Sequence, residues 1–307
     1  MTEVIGMTRI GFIGVGTMGL PMAKNLVAKG FTLTAFDSNP AAVTAAAAAG
    51  MTPAATAAEA VATADLVVTM LPSSPHVEAV YTGDGGVLAA ARKGTLCVDM
   101  STIDPAVSQR VAKAAAERGL RFIDAPVSGG TPRATDGTLA IMVGGAAADV
   151  EEARPALAAM GTNVIHVGAV GSGEVVKLCN NLIAGVVGVA VSEAFRIAEG
   201  FGMDPRVVTD VISKSSGNTF LMGFMHPVPG ILPAAASSHD YRPGFMTDLM
   251  CKDLGLAVDA ARNLRVPVFV TPAAQQVYRL ASSHGLGRRD FTSVYAFLKP
   301  SSGQAPV

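Results

Sequence analysis

Gly14-Val-Gly16-Thr-Met-Gly19 follows an apolar run and opens a helical one. In such a loop the first glycine permits a tight turn and the second lets backbone approach a pyrophosphate. The third lets the helix pack on the strand, while the helix N-terminus offers unpaired N–H groups to phosphate. A bare GxGxxG is weak evidence in a chain with 33 glycines, so the context carries the reading. A strand pattern precedes it, a helix pattern follows, and an acid closes the next strand. That acid is Asp37, 18 residues beyond Gly19, against an expected spacing of about 20. Its carboxylate can accept hydrogen bonds from both ribose hydroxyls of NAD and would repel the 2′-phosphate of NADP. Ser38-Asn39-Pro40 brings no cation to welcome a phosphate. The alternative is that Asp37 only starts a turn with Asn39-Pro40. Pro21 falls in the first helical turn, where its missing N–H costs little.

Three further groups could do chemistry on a small molecule. Lys177 and Asn181 are spaced i and i+4, on one face of a helix. A lysine whose pKa is lowered by desolvation or a nearby cation can take a proton from an alcohol as hydride leaves. Lys252 is a candidate for that second cation; otherwise Lys177 is an ordinary solvated helix lysine. Ser128-Gly129-Gly130 offers a hydroxyl and unobstructed backbone N–H groups, a small nest suited to a carboxylate, or else a plain glycine turn.

Positioning these groups calls for a particular order of elements. Short apolar runs recur at Arg9–Gly14, Thr32–Phe36, Leu66–Leu71, Leu96–Met100 and Phe122–Asp124, with alanine-rich helical stretches between them such as Ala41–Ala49, Ala57–Ala62 and Pro105–Arg118. Alanine is the strongest helix former. Runs apolar on both faces and separated by helices predict a parallel sheet covered on both sides. Leu139–Val143 and Val164–Val167 would extend it. After Gly171-Ser-Gly173 no helix breaker but isolated glycine stands until Gly202, which predicts a helix over about Glu174–Phe201. At 1.5 Å per residue it would run roughly 42 Å, the length of a spine joining two domains. Beyond it only helical patterns occur, at Pro205–Lys214, Phe245–Asn263, Thr271–Ser283 and Phe291–Phe297. Asp204 is an N-cap with Pro205 at the first helical position. Ser301–Val307 reads as a frayed tail, and Met7 is a second candidate start ahead of the first strand.

At roughly 150 residues per domain, the 307 residues suggest about two domains. Basic residues number 23 against 24 acidic, a net charge of −1, which argues against a nucleic-acid partner, since such affinity rests on clustered Lys and Arg. Only 15% of residues are charged while 50% are hydrophobic, and mean hydropathy is +0.42, so global disorder is excluded. The longest apolar runs, such as Leu182–Val191, are about ten residues against the ~20 of a membrane span. The N-terminus lacks a basic region before an apolar stretch, so no secretory signal is expected. Cys97, Cys179 and Cys251 are too scattered for a disulfide framework, and neither they nor the five histidines show metal-ligand spacing. A reducing cytoplasm, no membrane and no metal are the expectations. Cys179 and Cys251 are read as small buried fillers.

The motifs together resemble the β-hydroxyacid dehydrogenase family across nearly the whole chain. Gly11-Phe-Ile-Gly14-Val-Gly16-Thr-Met-Gly19-Leu-Pro-Met-Ala-Lys-Asn-Leu26 is similar to its opening, and Asp124-Ala-Pro-Val-Ser128-Gly129-Gly130 to its substrate loop. Gly173-Glu-Val-Val-Lys177-Leu-Cys-Asn180-Asn181 resembles its catalytic segment, and Lys252-Asp253-Leu-Gly-Leu-Ala257 its C-terminal motif. Met70-Leu-Pro72, Ser101-Thr-Ile-Asp-Pro105, Pro227-Val-Pro-Gly230 and Asp290-Phe-Thr-Ser-Val-Tyr295 look most like the members that oxidise 3-hydroxyisobutyrate.

The resemblance implies an α/β chain: a Rossmann-type doubly wound NAD-binding domain over residues 1–170, then an interdomain helix and an all-helical substrate and dimerisation domain over 171–307. It implies Lys177 as general acid and base, with Ser128, Gly129, Gly130, Asn181, Phe220 and Lys252 on the substrate. NAD would meet Gly14, Gly16, Thr17, Met18, Gly19 and Asp37. Leu71-Pro72, at the carboxyl edge of a strand, His76 and Thr102 in the following loops, Lys252 and Asp253 would complete its contacts. Phe220 stands where many members carry Trp. The implied reaction is oxidation of 3-hydroxyisobutyrate to methylmalonate semialdehyde, a step of valine breakdown, by a homodimer or homotetramer. The alternatives are a tartronate, glyoxylate or succinic semialdehyde reductase of the same family, or a non-catalytic dinucleotide-binding module.

Overall fold

The computed structural model describes residues 9–299; the expected tail Ser301–Val307 and the alternative start Met7 lie outside them. Among the described residues nine strands form one sheet: β1 Arg9–Ile13, β2 Thr32–Phe36, β3 Thr52–Pro53, β4 Leu66–Thr69, β5 Leu96–Asp99, β6 Arg121–Asp124, β7 Val127–Ser128, β8 Leu139–Gly144 and β9 Gly161–Gly168. Their order is β3-β2-β1-β4-β5-β6-β8-β7, with β9 pairing β8. The first six strands are mutually parallel, in the order of a dinucleotide-binding doubly wound sheet.

Period-two alternation feeds both faces of the sheet. Val68, Val98 and Ile123 enter one core cluster with Phe12, Leu26 and Leu157. Their neighbours Val67, Cys97 and Phe122 enter the other with Ile13, Tyr81 and Val111. Register then does something the sequence pattern does not state. Phe36, Ile13, Thr69, Asp99 and Asp124, the last residues of five strands, form one row across the sheet. Whatever follows each of them emerges along a single carboxyl edge.

The sheet departs from the expected all-parallel form at β8, which runs antiparallel to β6 and β7. The short strands β3 and β7 and the helix Gly130–Asp136 were also unforeseen, because elements of two to seven residues carry too little periodicity.

Ser172–Gly200 is a continuous helix of 29 residues. By length and hydropathy it would also serve to cross a membrane, unlike the ten-residue runs read from the sequence. Its apolar residues have another use, since Val189, Val191 and Phe195 enter the core of the helical unit. Contacts divide the chain into Met1–Lys177 and Leu178–Val307. This contact division falls inside the helix, so Lys177 goes with the sheet. The C-terminal unit is helical, with Pro205–Ser213, Thr247–Leu264 and Val270–Ala281 as its main further elements. Tyr278 reaches the long helix, its hydroxyl donating to the Gly185 carbonyl at 3.0 Å. A Cβ at Gly188 would lie 2.4 Å from that hydroxyl, which explains glycine within the helix.

Candidate active site

Gly14 follows Ile13 at the carboxyl edge with φ of +92°, and a Cβ there would lie 2.3 Å from the Met70 carbonyl. A Cβ at Gly19 would stand 1.8 Å from the Gly14 carbonyl. These two glycines are demanded by the protein itself. Gly16 is not: nothing lies within 4 Å of its Cβ position, and it is exposed with Thr17 beside it. Open space on the middle glycine, where the protein has no need of one, is what close approach of a pyrophosphate requires. The loop therefore fits a dinucleotide, with Met18 leading into the helix Gly19–Ala28.

Asp37 ends half-buried just past β2. Its Oδ1 accepts from the Asn39 N–H at 2.8 Å, and Asn39 caps the helix Pro40–Ala48. The turn role weighed against cofactor binding is thus real, but it occupies one carboxylate oxygen only.

Leu71 and Pro72 follow β4, and Thr102 follows β5. Beneath them lies a buried polar chain. The Leu71 N–H donates to Ser101 Oγ at 2.8 Å, Ser101 Oγ–H donates to Asp99 Oδ1 at 2.6 Å, and Thr69 Oγ1–H donates to the same oxygen at 2.7 Å. Asp99 is fully buried and its Oδ2 has no hydrogen-bond partner. Burial pushes its carboxyl up to about 6, against the opposing pull of Ser101 and Thr69. His76 is exposed in the first turn of the helix Ser74–Thr82, not in a loop, with Nδ1 2.7 Å from Ser73 Oγ.

Ser128 ends β7, and Gly129 and Gly130 take φ of +140° and +65° at the start of the helix Gly130–Asp136. A Cβ at Gly129 would meet Arg133 Cδ at 2.6 Å, so the glycine pair is required by the turn into that helix.

Lys177 and Asn181 occupy successive turns of the long helix, 6% and 5% exposed. Lys177 is therefore not an ordinary solvated lysine. Within the C-terminal unit, Asn181 Nδ2 donates to Asp253 Oδ2 at 2.5 Å, and Asn181 Oδ1 accepts from Asn180 Nδ2 at 3.0 Å. Lys252 Nζ stands 3.1 Å from Asp253 Oδ1, an ion pair whose approach is off hydrogen-bond geometry. Asp253, expected at the cofactor, is 1% exposed and serves as the anchor of Asn181 and Lys252. Phe220 takes no part in this network; it is 44% exposed and opens the short helix Phe220–Gly223.

The reading of Cys179 and Cys251 as buried fillers is corrected. Cys179 is exposed and Cys251 half-buried, and only Cys97 is enclosed, with its thiol pushed up to about 12 by burial. Sequence reasoning also gave no role to Asp99, Asp124 or Glu174, all fully buried. A signal of position existed for the first two, since Asp99 closes the strand Leu96–Asp99 and Asp124 follows the apolar Phe122 and Ile123.

Residues 9–168 match the family model described as the NAD binding domain of 6-phosphogluconate dehydrogenase. Residues 171–298 match one described as NAD-binding of NADP-dependent 3-hydroxyisobutyrate dehydrogenase. Mitochondrial 3-hydroxyisobutyrate dehydrogenase of Rattus norvegicus is 41% identical over 292 residues, 95% of this chain and 87% of that protein. An NAD-dependent L-serine dehydrogenase of Pseudomonas aeruginosa is 43% identical over 298 residues, 97% of this chain and all of that one. The solved structure of Mycobacterium tuberculosis 3-hydroxyisobutyrate dehydrogenase with L-serine is 41% identical, has a TM-score of 0.90, and covers 96% of this chain and 100% of that chain. With the glycine loop, the carboxyl-edge row and the buried lysine in place, the chain belongs to the β-hydroxyacid dehydrogenase family that includes 3-hydroxyisobutyrate dehydrogenase, and is an NAD-dependent hydroxyacid oxidoreductase.

Proposed function

We propose that the substrate is (S)-3-hydroxyisobutyrate, oxidised to methylmalonate semialdehyde, with Lys177 as the group that takes and returns the hydroxyl proton. The observation that carries this reading is a lysine 6% exposed in a chain about 40% identical to mammalian 3-hydroxyisobutyrate dehydrogenases over most of its length. A lysine amine held out of bulk water at a fixed place can exchange a proton with an alcohol as hydride leaves or returns.

In this reading the Ser128 hydroxyl and the backbone of Gly129 and Gly130 hold the substrate carboxylate. The primary hydroxyl faces Lys177 Nζ. Asn181 has one amide hydrogen committed to Asp253, which leaves its second for the substrate oxygen. Gly14, Gly16, Thr17, Met18 and Gly19 hold the pyrophosphate, Asp37 the ribose, and Leu71, Pro72, His76 and Thr102 line the rest of the cofactor's course. Bound NAD⁺ supplies the hydride acceptor. We also propose a homodimer or homotetramer formed through the helical unit, where Ile183, Ile197, Phe201, Val211 and Phe269 are 57–83% exposed.

L-Serine is the second reading. The 43% identical relative is named for it and the Mycobacterium tuberculosis enzyme was solved with it. The two acids share a carboxylate and a primary alcohol and differ at C2, a methyl in one and an ammonium in the other. An apolar wall gains about 1–3 kcal/mol from a methyl, or 10- to 200-fold, and cannot solvate an ammonium. Initial rates of NAD⁺ reduction with 3-hydroxyisobutyrate, 3-hydroxypropionate, L-serine and 2-ethyl-3-hydroxypropionate decide between them. 3-Hydroxyisobutyrate should lead in kcat/KM, ahead of 3-hydroxypropionate by about that factor. L-Serine should trail the 2-ethyl compound, because Phe220 leaves more room than Trp. L-Serine, or tartronate semialdehyde in the reductive direction, coming out tenfold ahead of 3-hydroxyisobutyrate would overturn the substrate proposal.

A further inference from the structure

Asp124 closes β6 after the apolar Phe122 and Ile123, and it is fully buried. A carboxylate in such a place must be bonded, and its partners are backbone groups far along the chain. Oδ1 accepts from the Gly171 N–H at 2.6 Å, and Oδ2 accepts from the Glu174 N–H at 3.0 Å. Burial pushes the Asp124 carboxyl up, and the N–H groups of Gly171 and Glu174 pull it back down. The helix Ser172–Gly200 starts between those partners. The first N–H groups of a helix have no partner within it, and its N-terminal end favours negative charge. Asp124 thus caps the helix that carries Lys177 from a different strand.

The room for this contact is made by two glycines. A Cβ at Gly144, the register partner of Asp124 on β8, would lie 2.5 Å from Oδ1. A Cβ at Gly173 would lie 2.7 Å from Oδ2 and 2.4 Å from the Met142 carbonyl. A second acid holds the same turn from the other side, since Glu174 Oε2 accepts from the Ile103 N–H at 3.1 Å. Ile103 follows Thr102 directly. Meanwhile Ala125 leaves Asp124 to begin the segment that ends in Ser128, Gly129 and Gly130, and its N–H donates to the Asp99 carbonyl at 2.7 Å. All of these residues, Lys177 included, lie in the N-terminal unit.

We infer that Asp124 is a positioning residue of the reaction: its carboxylate fixes the helix that carries Lys177 relative to the Ser128–Gly130 segment, because the same residue caps the one and begins the other. It touches neither substrate nor cofactor. This rests on Lys177 being the proton-transfer group, and an inactive Lys177→Ala enzyme establishes that separately.

The test is Asp124→Asn. Asn keeps the shape and one acceptor oxygen but turns an amide donor toward one of the two N–H groups. Small misplacement of a reacting group can cost about 100-fold. kcat for the best substrate of the panel should fall about 10- to 100-fold, while the NADH dissociation constant from fluorescence titration stays within about twofold, because Gly14–Gly19 and Asp37 are untouched. Gly144→Ala pushes on Oδ1 from β8 without altering the carboxylate. It should lower kcat in the same direction, and the double variant should lose clearly less than the product of the two single losses, as coupled sites do. Should Asp124→Asn show no cooperative unfolding transition, Gly144→Ala alone decides by the same split between kcat and NADH affinity. A kcat within twofold of wild type in a folded variant, NADH affinity falling as much as kcat, or losses that simply multiply would each overturn the inference. Full activity in Asp124→Asn beside an inactive Lys177→Ala would remove the positioning role and leave the proton-transfer role standing.

Discussion

Asn181 Nδ2 donates to Asp253 Oδ2 at 2.5 Å, so a residue one turn beyond Lys177 on the long helix is bound to the helix Thr247–Leu264. The same carboxylate pairs with Lys252 at 3.1 Å. Asp253→Ala strands the buried Asn181 donor and removes the Asp253 carboxylate from beside Lys252. Leaving a buried donor unsatisfied costs about 1–3 kcal/mol, and urea unfolding should show a loss of that order. Asp253→Asn, which keeps an acceptor oxygen, should lose less. Equal stability of Asp253→Ala and wild type would mean that the contact contributes nothing.

Asp37 should make NAD⁺ preferred over NADP⁺ in kcat/KM. Its carboxylate meets a 2′-phosphate with like-charge repulsion, which costs several kcal/mol in a close contact. Asp37→Ala should weaken NAD⁺ and relieve NADP⁺, narrowing the preference from both sides. Because Asp37 also accepts from the Asn39 N–H, a modest stability loss should accompany it. Equal use of the two cofactors by the wild type would contradict the assignment.

Two buried groups give stability opposite dependences on pH. Asp99 is held at about 6, above the 3.8 of a free carboxyl, so the folded chain holds that proton more tightly. Its contribution is complete below about pH 4 and is lost as pH rises through 6, an amount on the order of 3 kcal/mol. His226 is held down at about 4 by burial, with Nδ1 accepting from the Val228 N–H at 3.2 Å and the ring edge-on to Phe195 at 4.7 Å. Its contribution is complete above about pH 6.5 and is lost as pH falls toward 4. Asp99→Asn should therefore gain on wild type as pH rises from 4 to 7 in denaturant titrations, and His226→Gln should gain as pH falls. Parallel curves for variant and wild type would show that neither group changes its proton affinity on folding.

The parts of the fold carried by long periodic segments were legible in the sequence. The parallel strands, the long helix and the helical C-terminal unit all matched within a few residues, because their apolar patterns repeat often enough to be read. The nucleotide loop was legible for a different reason, since Gly14 and Gly19 are fixed by close backbone contacts and Gly16 leaves open space for a ligand. Antiparallel β8 was not, because strand direction leaves no mark on a five-residue apolar run. What Asp99, Asp124 and Glu174 bond to was hidden for a related reason. The Thr69 hydroxyl lies 30 residues from Asp99, and the backbone N–H groups that bond Asp124 and Glu174 lie 47 and 71 residues away; pairings at such distances carry no spacing that a sequence displays. Cys179 was misjudged because helical phase alone does not say how much of a helix is covered.

Proton transfer by Lys177 is decided by single-turnover kinetics with Lys177→Ala. Enzyme saturated with NAD⁺ is mixed with 3-hydroxyisobutyrate, or with the best substrate of the panel, and NADH formation is followed. The rate should fall by about 10² to 10⁴, the usual worth of a positioned general acid and base, with NADH binding unchanged. Retention of most of the wild-type rate by a folded Lys177→Ala enzyme would show that Lys177 is not the proton-transfer group.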